Sequence, residues 1–364
     1  MKQFFFLLIS YGFLTFHTAF SQTSQIKNLA QQITSGKNSD SLKVRAIYEW
    51  VVNNIDYDMP MLGQMRQKSV EEFIKMQQPD YVLASKKAVC MGYAILFKEL
   101  CKAVNIQSEF VTGMSKYYDA YNRTFTIPED LHAWNVVKIN GRWYLTDLTW
   151  SAGSVNQADG KYYKRFNEAF YLTSSHEFAK THLPFDPIWQ LTNQPLTTDE
   201  FKKFPELPPT RTNPPNINYL DSLRVYEKQD SITRKLASYR RALKFDANND
   251  EAKAALGFYY SQKALNDYEE FQKITSKYNI VRSAEEAKQV LATRPRIFEI
   301  LKIAEENFKI SRNYYQQIPT NSKFSFVAEG NKQVVAKNQE LINQNRTKLG
   351  GFYNSLETNL KRMK

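Results

Sequence analysis

The segment from His132 to Thr149 constrains this chain more than any other. Ala133 to Ile139 alternates in polarity, Asn140-Gly141 follows, and Arg142 to Leu148 returns as a second run. Asn-Gly between two such runs is the strongest short-range hairpin signal, because both turn positions need positive φ. A two-residue turn pairs Ile139 with Arg142. Carried onward, that register sets His132 opposite Thr149 and Asp147 opposite Trp134. Side chains alternate along a strand, so His132 and Trp134 share a face. Asp147 is then a diagonal neighbour of His132 on that face, at about 7–8 Å between backbones. The register by itself brings an imidazole to a carboxylate.

Upstream, Ser41 to Ile55 reads as a helix with Leu42, Ala46, Ile47, Trp50 and Val51 on one face. Cys90 to Val104 reads as a second, with the stripe Phe97, Leu100, Cys101 and Val104, and Gln107 to Val111 as a strand. Cys90 therefore opens a helix, where the positive end of the dipole favours a thiolate. His132 supplies the neighbouring imidazole and Asp147 holds its tautomer and orientation, the division of labour in a cysteine–histidine nucleophile. Gly92 allows backbone and substrate to approach closely. The Cys90 N–H is a candidate oxyanion donor by geometry; the sequence does not name the second, for which Tyr81 to Lys87 is one source to consider. Cys101 reads as core packing. The two cysteines lie about 16 Å apart along a helix, beyond the ~7 Å that a disulfide spans. Trp134, Trp143 and Trp150 read as hairpin packing, and His176 and His182 as surface or packing residues. No cysteine–histidine spacing matches a metal site, and no cofactor is expected.

The first 21 residues have the plan of a secretory leader: Lys2, an apolar run from Phe4 to Phe16, and Ala19-Phe20-Ser21 before the expected cleavage point. The run is short for a spanning helix, so the mature protein is expected to be exported, periplasmic or secreted, with no transmembrane segment. The net charge of +12 is concentrated in the C-terminal half. There the basic residues are interleaved with acids, which points to a solvated helical surface and not to nucleic-acid binding. Pro205, Pro208, Pro209, Pro214 and Pro215 read as a semi-rigid linker. Beyond it the pattern is helical. Leu236 to Tyr260 has the rhythm of one helix–turn–helix unit, Pro295 opens a helix to about Ile318, and Val334, Leu341, Leu349, Phe352, Leu356 and Leu360 form a near-heptad stripe.

Ala88-Val89-Cys90-Met91-Gly92-Tyr93-Ala94, Leu131-His132-Ala133-Trp134-Asn135-Val136 and Tyr144-Leu145-Thr146-Asp147-Leu148-Thr149-Trp150 resemble the three signature blocks of the transglutaminase-like superfamily. The tail from Tyr171 through Pro184 to Trp189-Gln190-Leu191 is similar to its kyphoscoliosis-type peptidase subgroup. The resemblance implies a papain-like α+β core, with Cys90 on a helix N-terminus and His132 and Asp147 on neighbouring strands. Val89 and Met91 depart from the small and polar residues that often flank the family's cysteine. The expected organisation is a leader (1–21), a transglutaminase-like cysteine domain (22–204), a linker (205–218) and an all-α domain (219–364). The expected function is a thiol acyl-transfer enzyme that hydrolyses amide bonds of a protein or peptide substrate. The alternatives are a catalytically silent scaffold of the cell envelope and a protein cross-linking transglutaminase. The C-terminal helices are a candidate surface for a protein partner.

Overall fold

The computed structural model describes residues 24–64, 68–119, 124–128, 132–156, 159–205, 217–278 and 281–362. The expected leader, and all of the expected linker except 205, 217 and 218, lie outside the described residues.

The Asn140-Gly141 turn forms as the sequence requires: φ is 49° and 79°, and Ile139 pairs with Arg142. The ladder runs to the Asn135–Thr146 pair and stops. Asp147 then leaves the strand to cap the short helix Leu148–Ala152, so Thr149 is helical and does not face His132 across a ladder. The hairpin joins an antiparallel sheet of four strands, in the order His182–Pro184, Ser108–Ser115, His132–Ile139, Arg142–Thr146. The strand Ser108–Ser115 outruns the expected 107–111. Its second half, Thr112-Gly113-Met114-Ser115, carries little apolar alternation; Thr112 and Gly113 pair with Ala133 and His132, and Gly113, Met114 and Ser115 with Pro184, Leu183 and His182.

The two faces of the sheet are both covered. Val137 and Ile139 pack beneath the helix Cys90–Ala103, whose Tyr93, Leu96, Phe97, Leu100 and Cys101 form the centre of the main core. Each such aliphatic side chain taken out of water contributes about 1.5–3 kcal/mol. Helices Ser24–Ile33 and Asp40–Asn54 complete that core with Ile26, Ala30, Val44, Ile47, Tyr48 and Val51. The buried stripe of Asp40–Asn54 starts two residues later than expected, and Leu42 is exposed. On the opposite face Trp134, Val136, Trp143 and Leu145 pack with Phe178, Ile188 and Trp189. Double coverage buries His132 through Val137 without interruption. Cys90 and Cys101 are both free thiols.

The chain divides into two compact units between Ala247 and Asn248. Helices Tyr219–Lys228 and Ser231–Phe245 belong with the cysteine unit. Leu223 and Tyr226 close over the Trp189 side of its core. Glu227 accepts from Lys138 Nζ (2.7 Å) and Trp143 Nε1 (3.0 Å). Arg241 grips the buried Asp186 with two hydrogen bonds, of 3.1 and 2.6 Å. The second unit is helical: Asp250–Thr275, Ala284–Ala292, Arg294–Gln316 and Ser325–Arg362. Tyr268 and Phe271 meet Leu301, Ala304 and Phe308, then Val335, Ile342 and Tyr353. In the last helix Val335 and Ile342 are buried while Val334 is exposed, so the core stripe lies one position beyond the expected heptads. No helix among the described residues is long and apolar enough to cross a membrane.

Candidate active site

Cys90 is the first residue of its helix, and it is partly exposed. The preceding Val89 is extended (φ −90°, ψ 179°) and offers no side-chain cap. The positive end of the helix dipole therefore falls on the thiol without a competing capping anion. Gln77 anchors this end: its Oε1 accepts from the Val89 N–H at 3.3 Å and it is fully buried. Gly92 is small for that reason. A Cβ there would stand 2.7 Å from Gln77 Oε1 and 2.8 Å from the Ala88 Cβ, so the glycine accommodates protein and not, as expected, substrate. Met91 packs with Met61, Phe73 and Val89, which gives the departure from the usual family pattern a structural use.

His132 begins its strand opposite Gly113, and Asp147 ends the hairpin as an N-cap. Asp147 Oδ1 accepts from the N–H groups of Thr149 (2.8 Å) and Trp150 (3.1 Å). Its Oδ2 lies 2.7 Å from His132 Nε2, and the carboxylate is fully buried. The expected imidazole–carboxylate meeting thus occurs, through a cap instead of a diagonal strand pair. With Nε2 given to Asp147, Nδ1 is the ring nitrogen left for Cys90. Burial works against a charged His132, but the Asp147 charge, the bond to it and a hydrogen bond with Cys90 outweigh burial and raise the imidazole well above its usual range. Burial likewise pushes the Asp147 carboxyl up, yet His132 first and His182 second hold it well below the usual carboxylate range. The centre is built to keep an imidazolium against a carboxylate at neutral pH.

His182, expected to be a surface or packing residue, belongs to this centre. It pairs with Ser115 at the sheet edge, is 1% exposed, and places Nε2 3.0 Å from the same Asp147 Oδ2. Burial pushes its imidazole down despite the Asp147 charge. Its strand is three residues long, too short for periodicity to reveal. The usable signal was scarcity: the described residues hold only His132, His176 and His182. His176 sits apart, against Phe204. Trp150 and Trp134 contact both site imidazoles, at 5.4 and 5.9 Å from His132 and 4.6 and 5.0 Å from His182. They wall the centre as well as packing the hairpin.

His132, Asp147 and His182 are also the one group among the described residues whose ligand atoms, within 4.8 Å of one another, could surround a metal ion. Two ligands bound at about 2.0–2.2 Å around a tetrahedral ion stand ~3.3 Å or more apart. The 2.7 and 3.0 Å separations here are those of hydrogen bonds. Some of the backbone donors between Tyr81 and Lys87 are already engaged. The Lys86 and Lys87 N–H groups are spent on Val82 O and Ser85 Oγ, and the Val89 N–H on Gln77.

Comparison with known proteins agrees with this geometry. Residues 27–148, which include Cys90, His132 and Asp147, match the transglutaminase-like superfamily. Kyphoscoliosis peptidase from Mus musculus is 32% identical over 179 residues, covering 49% of this chain and 26% of that protein. The Homo sapiens protein is 31% identical with the same coverage. A LIM and transglutaminase domain protein of Caenorhabditis elegans is 26% identical over 201 residues, 52% of this chain and 26% of that protein. The chain thus spans about a quarter of the length of these relatives. Match, antiparallel sheet and cysteine-bearing helix converge on one conclusion: residues 27–148 are a transglutaminase-like domain.

Proposed function

We propose that this protein is a thiol acyl-transfer enzyme that hydrolyses amide bonds of peptide or protein substrates outside the cytoplasm, with Cys90, His132 and Asp147 as its triad. The observation that carries the reading is the buried 2.7 Å bond between His132 and Asp147, set beside a cysteine that opens an uncapped helix. The Cys90 thiolate attacks the carbonyl carbon, forming a C–S bond as the carbonyl electron pair moves onto oxygen. The Cys90 N–H, at the helix N-terminus, faces the developing charge. His132, protonated at Nδ1, gives that proton to the leaving nitrogen as the C–N bond breaks. Water then loses a proton to Nδ1 and attacks the thioester, and C–S cleavage releases the acid and restores the thiolate–imidazolium pair. Asp147 keeps Nε2 protonated and the ring aimed at sulfur throughout. The extracytoplasmic assignment rests on the leader-like residues 1–21.

Incubating the mature protein with a mixed peptide library, with and without a primary amine, tests the reaction. New carboxyl termini that depend on Cys90 support hydrolysis. Amine incorporation at glutamine supports the cross-linking alternative. A Cys90→Ala protein that retains the cellular phenotype of the wild type supports the silent scaffold.

A further inference from the structure

Asp147 offers two carboxylate oxygens, about four lone-pair positions in all. Two are taken at Oδ1 by the Thr149 and Trp150 N–H groups, which fix the plane of the group at the helix N-terminus. One at Oδ2 goes to His132 and the other to His182. The carboxylate is saturated, and turning it away from His132 breaks bonds on both oxygens. His132 and His182 stand opposite Gly113 and Ser115, alternate residues of the strand between them, so both rings rise from one face and converge on the same oxygen.

The surroundings of His182 define which form of the ring is present. Phe178 stacks on it at 4.1 Å, and Trp150, Trp134 and Phe170 ring it at 4.6, 5.0 and 5.9 Å. An apolar cage of this kind disfavours the imidazolium, in line with the downward push of burial. A neutral ring carries one proton, and a carboxylate acceptor at Nε2 requires it there. Nδ1 is then an acceptor, and the Thr181 hydroxyl, 2.8 Å away, serves it at closer range than its 3.4 Å alternative acceptor, the Phe178 carbonyl oxygen. A phenylalanine would fill an aromatic cage without the cost of desolvating two ring nitrogens. The histidine is accounted for by the hydrogen bond it donates.

We propose that His182 is a positioning residue: its Nε2–H, donated to Asp147 Oδ2, locks the carboxylate on the axis of His132, so that four residues and not three set the geometry at Cys90. This rests on the triad chemistry proposed above, but its physical content, the His132–Asp147 bond, can be read without any reaction at sulfur.

The test compares His182→Gln, which keeps an N–H donor near the Nε2 position, with His182→Phe and the Gln-shaped but apolar His182→Met, all in the full mature chain. Proton NMR follows the His132 Nε2–H, expected far downfield and protected from exchange in the wild type. Iodoacetamide labelling at pH 6 follows Cys90. The expected result is that His182→Gln retains the resonance and labels within about twofold of wild type. His182→Phe and His182→Met lose or broaden it and label on the order of tenfold more slowly, the scale for a residue that orients a reacting group through another. Should His182→Phe fail to fold, the Gln and Met pair decides. Wild-type behaviour of the apolar variants, or Phe outperforming Gln, overturns the proposal and leaves His182 as packing. A resonance that depends on His182 while wild-type Cys90 is inert leaves the positioning role standing and removes the enzymatic reading.

Discussion

At the residue scale the centre is a contest between burial and pairing, and pairing prevails at two groups of three. His132 and Asp147 are held charged by each other, while His182 yields to burial. Asp147→Asn can still cap the short helix but cannot hold the imidazolium. Its kcat is expected to fall by roughly 10⁴, the cost of the equivalent change in a serine triad, with the fold retained by circular dichroism. His182 carries a separate signature in acid. Its folded affinity for a proton is below that of the unfolded chain, so the unfolded state binds more protons as pH falls below about 6.5. Stability contributed by the neutral ring is present above that pH and lost beneath it. Urea midpoints measured from pH 7 to pH 4 are expected to fall less steeply in His182→Gln than in wild type, and equal slopes would contradict this assignment. The meeting of His132 with Asp147 and the place of Cys90 at a helix start were legible because a turn dipeptide fixes a register and a helix stripe fixes a start. His182 was not, because its partner comes from 35 residues away and its strand has no pattern.

At the element scale the hairpin was readable to the point where side-chain chemistry overrode strand pairing. Asp is a strong N-cap, and capping releases the chain from the ladder after Thr146. A continued register places the carboxylate on the correct face for a reason that does not operate in the folded protein. The helix Cys90–Ala103 emerged within one residue of its expected end because Phe97, Leu100, Cys101 and Val104 recur at helical spacing. The small residue behind Cys90 carries an element-level prediction. Gly92→Ala drives a Cβ into Gln77 and Ala88, neither with free space to yield, at an expected cost of about 1–3 kcal/mol in chemical denaturation. Gly113→Ala is expected to be worse, since its Cβ would stand 2.1 Å from the Leu183 carbonyl oxygen and push the His182 strand off the sheet.

Over the whole molecule, the division between Ala247 and Asn248 assigns two further helices to the cysteine unit. The sequence marks both segments as helical but does not say which core their apolar faces close on. Arg241 reaches back 55 residues to Asp186. Arg241→Ala leaves that carboxylate buried and unpaired, with an expected loss of about 3–5 kcal/mol, measurable as a shift in the denaturant midpoint. A chain ended at 247 is expected to fold with the Cys90 centre intact. One ended at 218 exposes the core side chains that Leu223 and Tyr226 cover, and is expected to melt lower or aggregate.

Whether Cys90 is armed by its neighbours is tested by alkylation in a single protein. Cys101 is fully buried and burial pushes its thiol up, so it serves as an inert internal control. Cys90 is expected to label rapidly at pH 6, to lose that labelling in His132→Ala, and Cys101 to stay silent in both. Labelling of Cys90 at pH 6 that is as slow as that of Cys101 and ignores the loss of His132 would contradict the armed-thiol reading.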